Sequence, residues 1–155
     1  MSPAEHASIQ RASLHPARLR EQQSLAADTL RIVPRCGRRR GVKSVDCACL
    51  LWTSDGELAS GEVLHVLESV DTSNVHVIVQ LFERVAPFWK SFDVSALHDD
   101  FLRATTASCF MRHVWQVRVT QRIECVPLHA VIEKVMYVQC GGDEFIVRVN
   151  TVTEL

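Results

Sequence analysis

The 155-residue sequence contains no uncharged apolar run of the roughly 18 residues that a membrane-spanning helix needs. Residues 1–16 also lack the continuous apolar stretch of a secretory signal. These absences favour an intracellular protein, nuclear or cytoplasmic, with no membrane partner. Without an export signal, the six cysteines are expected to be reduced thiols.

The motifs of the common catalytic classes are missing as well. No P-loop, GxGxxG, GxSxG or HExxH pattern is present. The nearest approach to a zinc-ligand pair is Cys47-x-Cys49, and no second pair completes a set of four ligands. Cys109 precedes His113 by one helical turn, but no glycine-rich turn accompanies it to activate the thiol. We therefore expect no catalytic residue, no metal site and no cofactor, and a Cys-dependent enzyme is the weakest alternative.

Charge is unevenly distributed, although the formal net charge is only −1. Residues 1–43 contain nine Lys or Arg and three Asp or Glu, whereas residues 44–155 contain eight and fifteen. Such an acidic body is unsuited to nucleic acid, so any nucleic-acid contact is expected from the basic arm alone. The basic patch of the arm is either a nuclear-import or phosphate-contacting site, or a solubilising linker; it comprises Arg35, Arg38, Arg39, Arg40 and Lys43.

The same boundary divides the predicted domains. Residues 1–43 are expected to form a partly disordered or helical arm, and residues 44–155 a β-barrel-like domain. Pro16 and Pro34 bracket a predicted helix over Ala17–Val33, because proline suits a first helical turn and stops a helix that reaches it. The apolar face of this helix is thin, which predicts weak packing.

From Ser44 the hydrophobic pattern takes the period of two that is typical of strands. The third strand, Val75–Val85, is apolar on both faces, which predicts a central strand covered on both sides. Asp55-Gly56 and Gly141-Gly142 predict tight turns, the second within a closing hairpin. Residues 86–107 interrupt this pattern and predict a short helical insertion. The predicted strands cover residues 45–52, 61–69, 75–85, 113–120, 131–138 and 145–149.

Two segments of this pattern resemble known families. The run 126–132, VPLHAVI, followed by a strand, a turn and Asp143–Arg148, resembles the end of bromo-adjacent homology (BAH) domains. Gly61-Glu-Val63 ahead of Val75–Val85 is similar to the Gly-x-Val strand pairing of SH3-like barrels. The order of segments is also similar to C-terminal regions of proteins encoded beside fungal transposons. The resemblance covers residues 61–155, departs from BAH domains at residues 86–107, and implies a small antiparallel SH3-like or BAH-like barrel without implying a function.

Aromatic residues make up only 6% of the chain, yet they are numerous enough for an aromatic cage. Such a cage holds a methylated lysine by cation–π attraction, with a nearby carboxylate. The alternative is that the rings fill the barrel core, as expected for most of Trp52, Phe82, Trp115 and Tyr137. The predicted ligand-binding residues lie in and beside the Pro-containing loop; they are Phe88, Trp89, Phe92 and Asp93.

These observations predict a non-enzymatic protein-interaction module that binds chromatin or another peptide, with a basic histone-tail-like segment as its partner. The alternative is a transposon-derived structural remnant that has no ligand of its own. Replacing Phe88 and Trp89 with alanine is expected to abolish peptide binding without lowering Tm. The sequence leaves the oligomeric state open.

Overall fold

The computed structural model describes residues 1–27, 30–35, 47–86 and 113–148. These residues form mainly β structure, with an N-terminal helix and two short 3₁₀ segments, Pro16–Arg18 and Leu128–Ala130. The elements, in chain order, are α1 Pro3–Arg11, β1 Leu19–Gln22, β2 Leu25–Ala27, β3 Leu30–Ile32, β4 Ala48–Trp52, β5 Leu58–Ser69, β6 Val75–Ala86, β7 Val114–Pro127, β8 Val131–Cys140 and β9 Asp143–Arg148.

Six of these strands close into an antiparallel barrel. Their order is β5-β4-β8-β9-β7-β6, and β6 pairs back with β5. Strands β4 to β7 form a meander; the chain then crosses through Leu128–Ala130, so that β8 pairs with β4 and β9 fills the space beside β7. Because closure pairs both edges of a sheet, it removes the exposed edges that an open sheet presents. The prediction of a mainly β, small SH3-like barrel is confirmed.

One ring contact identifies the interior of the barrel. Phe82 of β6 and Tyr137 of β8 stack with 5.4 Å between their centroids. These strands are three places apart around the ring of six, so their side chains can meet only across the interior. The cluster around them is apolar and drawn from five strands; it contains Ala48, Leu50, Val117, Val135 and Ile146.

Strands β5 and β6 are buried on both faces, as the apolar pattern of β6 predicts. One face contacts Ile32 of β3, and the opposite face contacts Ile9 of α1; both isoleucines are fully buried. The first face includes Val63, Val66, Val77 and Val79, and the second includes Leu64, Leu67 and Ile78. The N-terminal segment is therefore packed against both sides of this sheet.

The simple alternation predicted for β5 is wrong at one position. The pairing of β5 with β6 shifts between Val63 and His65, so Leu64 is an extra residue. A bulge of this kind reverses the phase of the strand, and Val66 consequently joins Val63 in one cluster.

Gly61 lies at a close approach between β5 and β6. A Cβ atom at this position would stand 2.5 Å from Cγ1 of Val79 and 2.6 Å from the carbonyl oxygen of Gln80. The strand pairing in its observed register therefore requires glycine at this position.

The closing hairpin is confirmed. Strands β8 and β9 pair directly up to Cys140 and Asp143, which leaves a two-residue turn. Gly141 and Gly142 both have positive φ, 60° and 86°, as a type I′ turn requires. Gly56, with φ of 79°, likewise supports the predicted turn between β4 and β5.

The helix predicted over Ala17–Val33 is wrong, because β1, β2 and β3 lie in that range. Tertiary pairing decides this segment: β1 adds to β5, and β2 pairs with β3. The N-terminal helix is α1 instead, and it begins with a capping box in which Ser2 and Glu5 bond each other's backbone N–H. The predicted boundary at residues 43 and 44, and the predicted insertion beyond Ala86, lie outside the described residues.

Candidate functional site

An open cleft of about 580 Å³ lies beside the β4–β5 turn, at the end of the barrel where β6 ends and β7 begins. Its volume is in the range of small-ligand and peptide side-chain pockets. The apolar part of the lining comes from three strands and includes Leu58, Leu81, Phe82 and Trp115.

The cleft is bordered by a bulge in β7. Gln80 pairs with Ile123 and Phe82 pairs with Val119, so residues 120–122 all lie opposite Leu81. The Thr120 hydroxyl donates to the Leu81 carbonyl at 2.8 Å, and the Gln80 amide donates to the Thr120 carbonyl, also at 2.8 Å. These bonds hold the bulge, a feature that commonly redirects side chains beside functional sites.

A cation rests on an aromatic ring in this cleft. The guanidinium carbon of Arg84 lies 4.7 Å from the ring centroid of Trp115, within the range of cation–π attraction. Trp115 in turn packs against the inner cluster of the barrel. No carboxylate among the described residues forms an ion pair with Arg84, so within that part of the chain its N–H donors have no carboxylate partner.

The second arginine of the lining is held by carboxylates. Arg122 donates to Glu124 at 2.5 Å and to Asp55 at 3.1 Å. The hydrogen bond with Glu124 raises the pKa of Arg122, which stays charged. Glu124 also accepts from the backbone N–H of Ser54 at 3.2 Å. This network fastens the β4–β5 turn to β7, while Glu57 of the same turn is exposed and lines the cleft.

An exposed apolar pair adjoins the cleft. Trp52 and Leu58 are direct partners on β4 and β5, and they are 48% and 46% exposed. Leu58 also lines the cleft, so the pair extends the apolar lining onto the outer surface. Adjacent exposed apolar side chains of this size are typical of contact surfaces.

Of the residues predicted to form a site, the structure describes only Arg35. Phe88, Trp89, Phe92 and Asp93 lie outside the described residues. Of the predicted basic patch, Arg35 is exposed and stands 3.7 Å from Glu62 in an ion pair; the other members, Arg38, Arg39, Arg40 and Lys43, lie outside the described residues.

The aromatic residues of the described barrel divide between core and surface. Phe82 and Tyr137 fill the interior, as core packing predicts, whereas Trp115 reaches the cleft and Trp52 is exposed. Sequence reasoning missed Arg84, because its partner ring lies 31 positions away on another strand. The available signal was the strand period of two, which puts the charged Arg84 on the same face of β6 as the apolar Phe82.

Two of the described thiols, those of Cys49 and Cys125, are unsuited to nucleophilic chemistry. Burial, assisted by the nearby Cys47, raises the pKa of Cys49 to about 12, and burial raises the pKa of Cys125 to about 11. A protonated thiol is a poor nucleophile and a poor metal ligand. Within the described ranges, no three His, Cys, Asp or Glu side chains are grouped to hold a metal ion. Cys109 lies outside those ranges.

His65 joins the N-terminal segment to the barrel. Its Nδ1 lies 2.5 Å from Glu21 of β1, and its Nε2 lies 3.4 Å from Glu5 of α1. Both ring nitrogens therefore face carboxylates, and we interpret His65 as a structural contact.

Comparisons of this chain with family models, with curated proteins and with solved structures give no match. In the part of the chain that the structure describes, no helix has both the length and the apolar character to cross a membrane.

Proposed function

We propose that this protein is a non-enzymatic interaction module that binds a short basic peptide, such as a histone-tail-like segment, in the cleft beside Trp115. The observation that carries the proposal is an open, partly apolar cleft at the end of a small barrel, bordered by exposed apolar and charged side chains. Binding sites for peptides combine these two properties.

Charge supports a basic partner. Residues 44–155 contain fifteen acidic and eight basic residues, so the body attracts cationic segments. Within the cleft, Glu57 is exposed on the β4–β5 turn. A Lys or Arg side chain of the peptide would be attracted to this wall.

The apolar surface supports a specific contact. A peptide that crosses the cleft would bury Leu58 and the adjoining Trp52, and aromatic and large apolar anchors contribute most of the affinity in such contacts. Arg84 already lies on the described face of Trp115. A cage for methyl-lysine would therefore use other rings, and we keep the predicted Phe88, Trp89, Phe92 and Asp93 as its candidate residues. The proposal also retains a relationship to BAH domains and a nuclear or cytoplasmic location.

A titration of the full chain tests the proposal. The probe is a fluorescein-labelled, Lys-rich histone-tail-like peptide, measured by anisotropy against an acidic peptide of equal length. Leu58→Ala is expected to weaken binding about tenfold, which corresponds to about 1.4 kcal/mol of lost apolar contact. The matched control is Met136→Ala on β8, because Met136 is similarly exposed, at 40%, and does not line the cleft.

Equal affinity for the basic and acidic peptides, or an equal loss in Leu58→Ala and Met136→Ala, would contradict the proposal. The structural remnant is favoured instead if two results agree. Anisotropy shows no binding, and the immobilised basic peptide captures no more of the full chain than a scrambled peptide does.

A further inference from the structure

We propose that the cleft recognises a carboxylate of the bound peptide through Arg84. This inference rests on the proposed function and names the chemical group of the peptide that the cleft recognises. The peptide is basic overall and presents one carboxylate, either its C terminus or an Asp or Glu side chain, at the wall formed by Arg84 and Trp115.

Arg84 differs from the other arginines of the described barrel, residues 47–86 and 113–148. The other three each donate to a carboxylate of the chain: Arg118 to Glu83, Arg122 to Glu124 and Asp55, and Arg148 to Glu133. Arg84 has no carboxylate partner within these ranges and contacts a ring face instead. The fold therefore neutralises three of these arginines internally and leaves the fourth exposed in a cleft.

The stacking on Trp115 makes Arg84 a suitable receptor. A guanidinium that lies over a ring, 4.7 Å from its centroid, keeps its N–H donors at its edge. Its side chain also loses less conformational freedom when a ligand binds, because the ring already restricts it. Two parallel N–H donors match the two oxygens of a carboxylate, which gives a stronger and more directional contact than one neutral hydrogen bond.

The remaining charge of the cleft explains why a basic peptide suits this receptor. Arg122 and Glu83 are both ion-paired, so the charges of the lining that lack such a partner in the described chain are Arg84 and Glu57. One is on β6 and the other is on the β4–β5 turn. A peptide with a cationic side chain and a carboxylate complements both walls.

NMR of the full chain tests this inference with three short probes. The first is acetyl-Lys-Ala-Leu with a free C terminus, the second is the same tripeptide as its amide, and the third is acetyl-Lys-Ala-Glu-amide. The chain has three tryptophans, so the reporter, the Trp115 indole N–H, is assigned as the signal that remains in both Trp52→Phe and Trp89→Phe. We expect millimolar binding of the free acid, at least about fivefold tighter than the amide, a margin typical of a charge-assisted contact.

Arg84→Gln should abolish this preference, so that acid and amide bind equally. Arg84→Lys, which keeps the charge but loses the two parallel N–H donors of the guanidinium, should retain only part of it. The matched control is Arg18→Gln, since Arg18 is also exposed but is ion-paired with Asp71, and neither of these residues lines the cleft. Because both arginines are exposed, an unchanged Tm in each variant excludes unfolding as the cause.

The probes also identify the source of the carboxylate. Tighter binding of the free acid than of the Glu-amide supports recognition of a C terminus, and equal binding of these two supports recognition of any carboxylate. Tighter binding of the Glu-amide than of the free acid supports recognition of a side-chain carboxylate. If neither the free acid nor the Glu-amide binds more tightly than the tripeptide amide, the inference is overturned while the proposed function stays intact. If no probe shifts Trp115 and the anisotropy titration is also flat, both the inference and the proposed function fail.

Discussion

Gly61→Ala tests the register of β5 and β6 on which the cleft depends. The added Cβ would lie 2.6 Å from the Gln80 carbonyl oxygen, about 0.8 Å short of the 3.4 Å at which ordinary contact begins. That oxygen belongs to the backbone of the neighbouring strand, so β5 and β6 must separate. The second contact, with Cγ1 of Val79 at 2.5 Å, involves a fully buried and rotationally stiff side chain.

The magnitude follows from these two contacts. Overpacking of a core costs about 1–3 kcal/mol, and a backbone obstacle places this site at the upper end. This figure includes the weakening of one ladder hydrogen bond, which is itself worth about 1 kcal/mol. We expect a loss of about 3 kcal/mol in the free energy of unfolding. For an m value of about 2 kcal/mol/M in urea, the midpoint falls by about 1.5 M.

Urea denaturation followed by tryptophan fluorescence measures this loss. The control for glycine replacement is Gly56→Ala, where a Cβ meets nothing within 4 Å and only the positive φ of 79° is strained. That strain costs about 1–2 kcal/mol. A loss below about 1 kcal/mol in Gly61→Ala would refute the close approach.

A double-mutant cycle separates the two contacts. Val79→Ala removes the obstructing methyl, so its cost should be about 1 kcal/mol smaller in the Gly61→Ala background than in the wild type. Val77→Ala is the control, because Val77 is equally buried in the same cluster but pairs with Val66. Identical coupling for Val77 and Val79 would show that Cγ1 of Val79 is not the obstacle.

Two further predictions follow from pKa values. At a pKa of about 12 the thiolate fraction of Cys49 is on the order of 10⁻⁴ at pH 8, so iodoacetamide should label it only after unfolding in urea; labelling of native protein at the rate of a free thiol, seen by peptide mass mapping, would contradict this. Burial lowers the pKa of His76 below its ordinary 6.5, with His129 acting in the same direction against a backbone hydrogen bond to Asn74. The unfolded chain therefore binds the proton more readily, and stability falls as pH drops below about 6.5. His76→Gln should flatten part of the decline in Tm between pH 7 and pH 5, and an unchanged slope would disprove the assignment.

Local signals predicted the closing hairpin well. Gly141 and Gly142 can both take positive φ, and the flanking residues alternate with a period of two, so the turn and its two strands are encoded within about twenty neighbouring positions. The capping box of Ser2 and Glu5 is equally local and also marks a real helix start, but sequence reasoning did not use it.

Local sequence patterns did not predict the features that depend on strand pairing. The thin apolar pattern of residues 17–33 suits a helix no worse than a strand. In the structure, β1 pairs with β5, and β2 pairs with β3. Likewise, the bulges at Leu64 and at residues 120–122 exist only relative to a partner strand. A single-strand pattern contains no information about such a partner.

The sequence alone indicated the class of this protein: alternating apolar residues and glycine turns predicted a mainly β chain, and the resemblance to SH3-like and BAH domains implied a small barrel. Tertiary structure decided where a ligand could bind. Arg84 meets Trp115 because β6 pairs with β7, and Glu57 comes to line the same cleft because β5 pairs with β6. Turns and periodicity are properties of neighbouring residues, whereas a cleft is a property of strand register, which is set by contacts between distant segments.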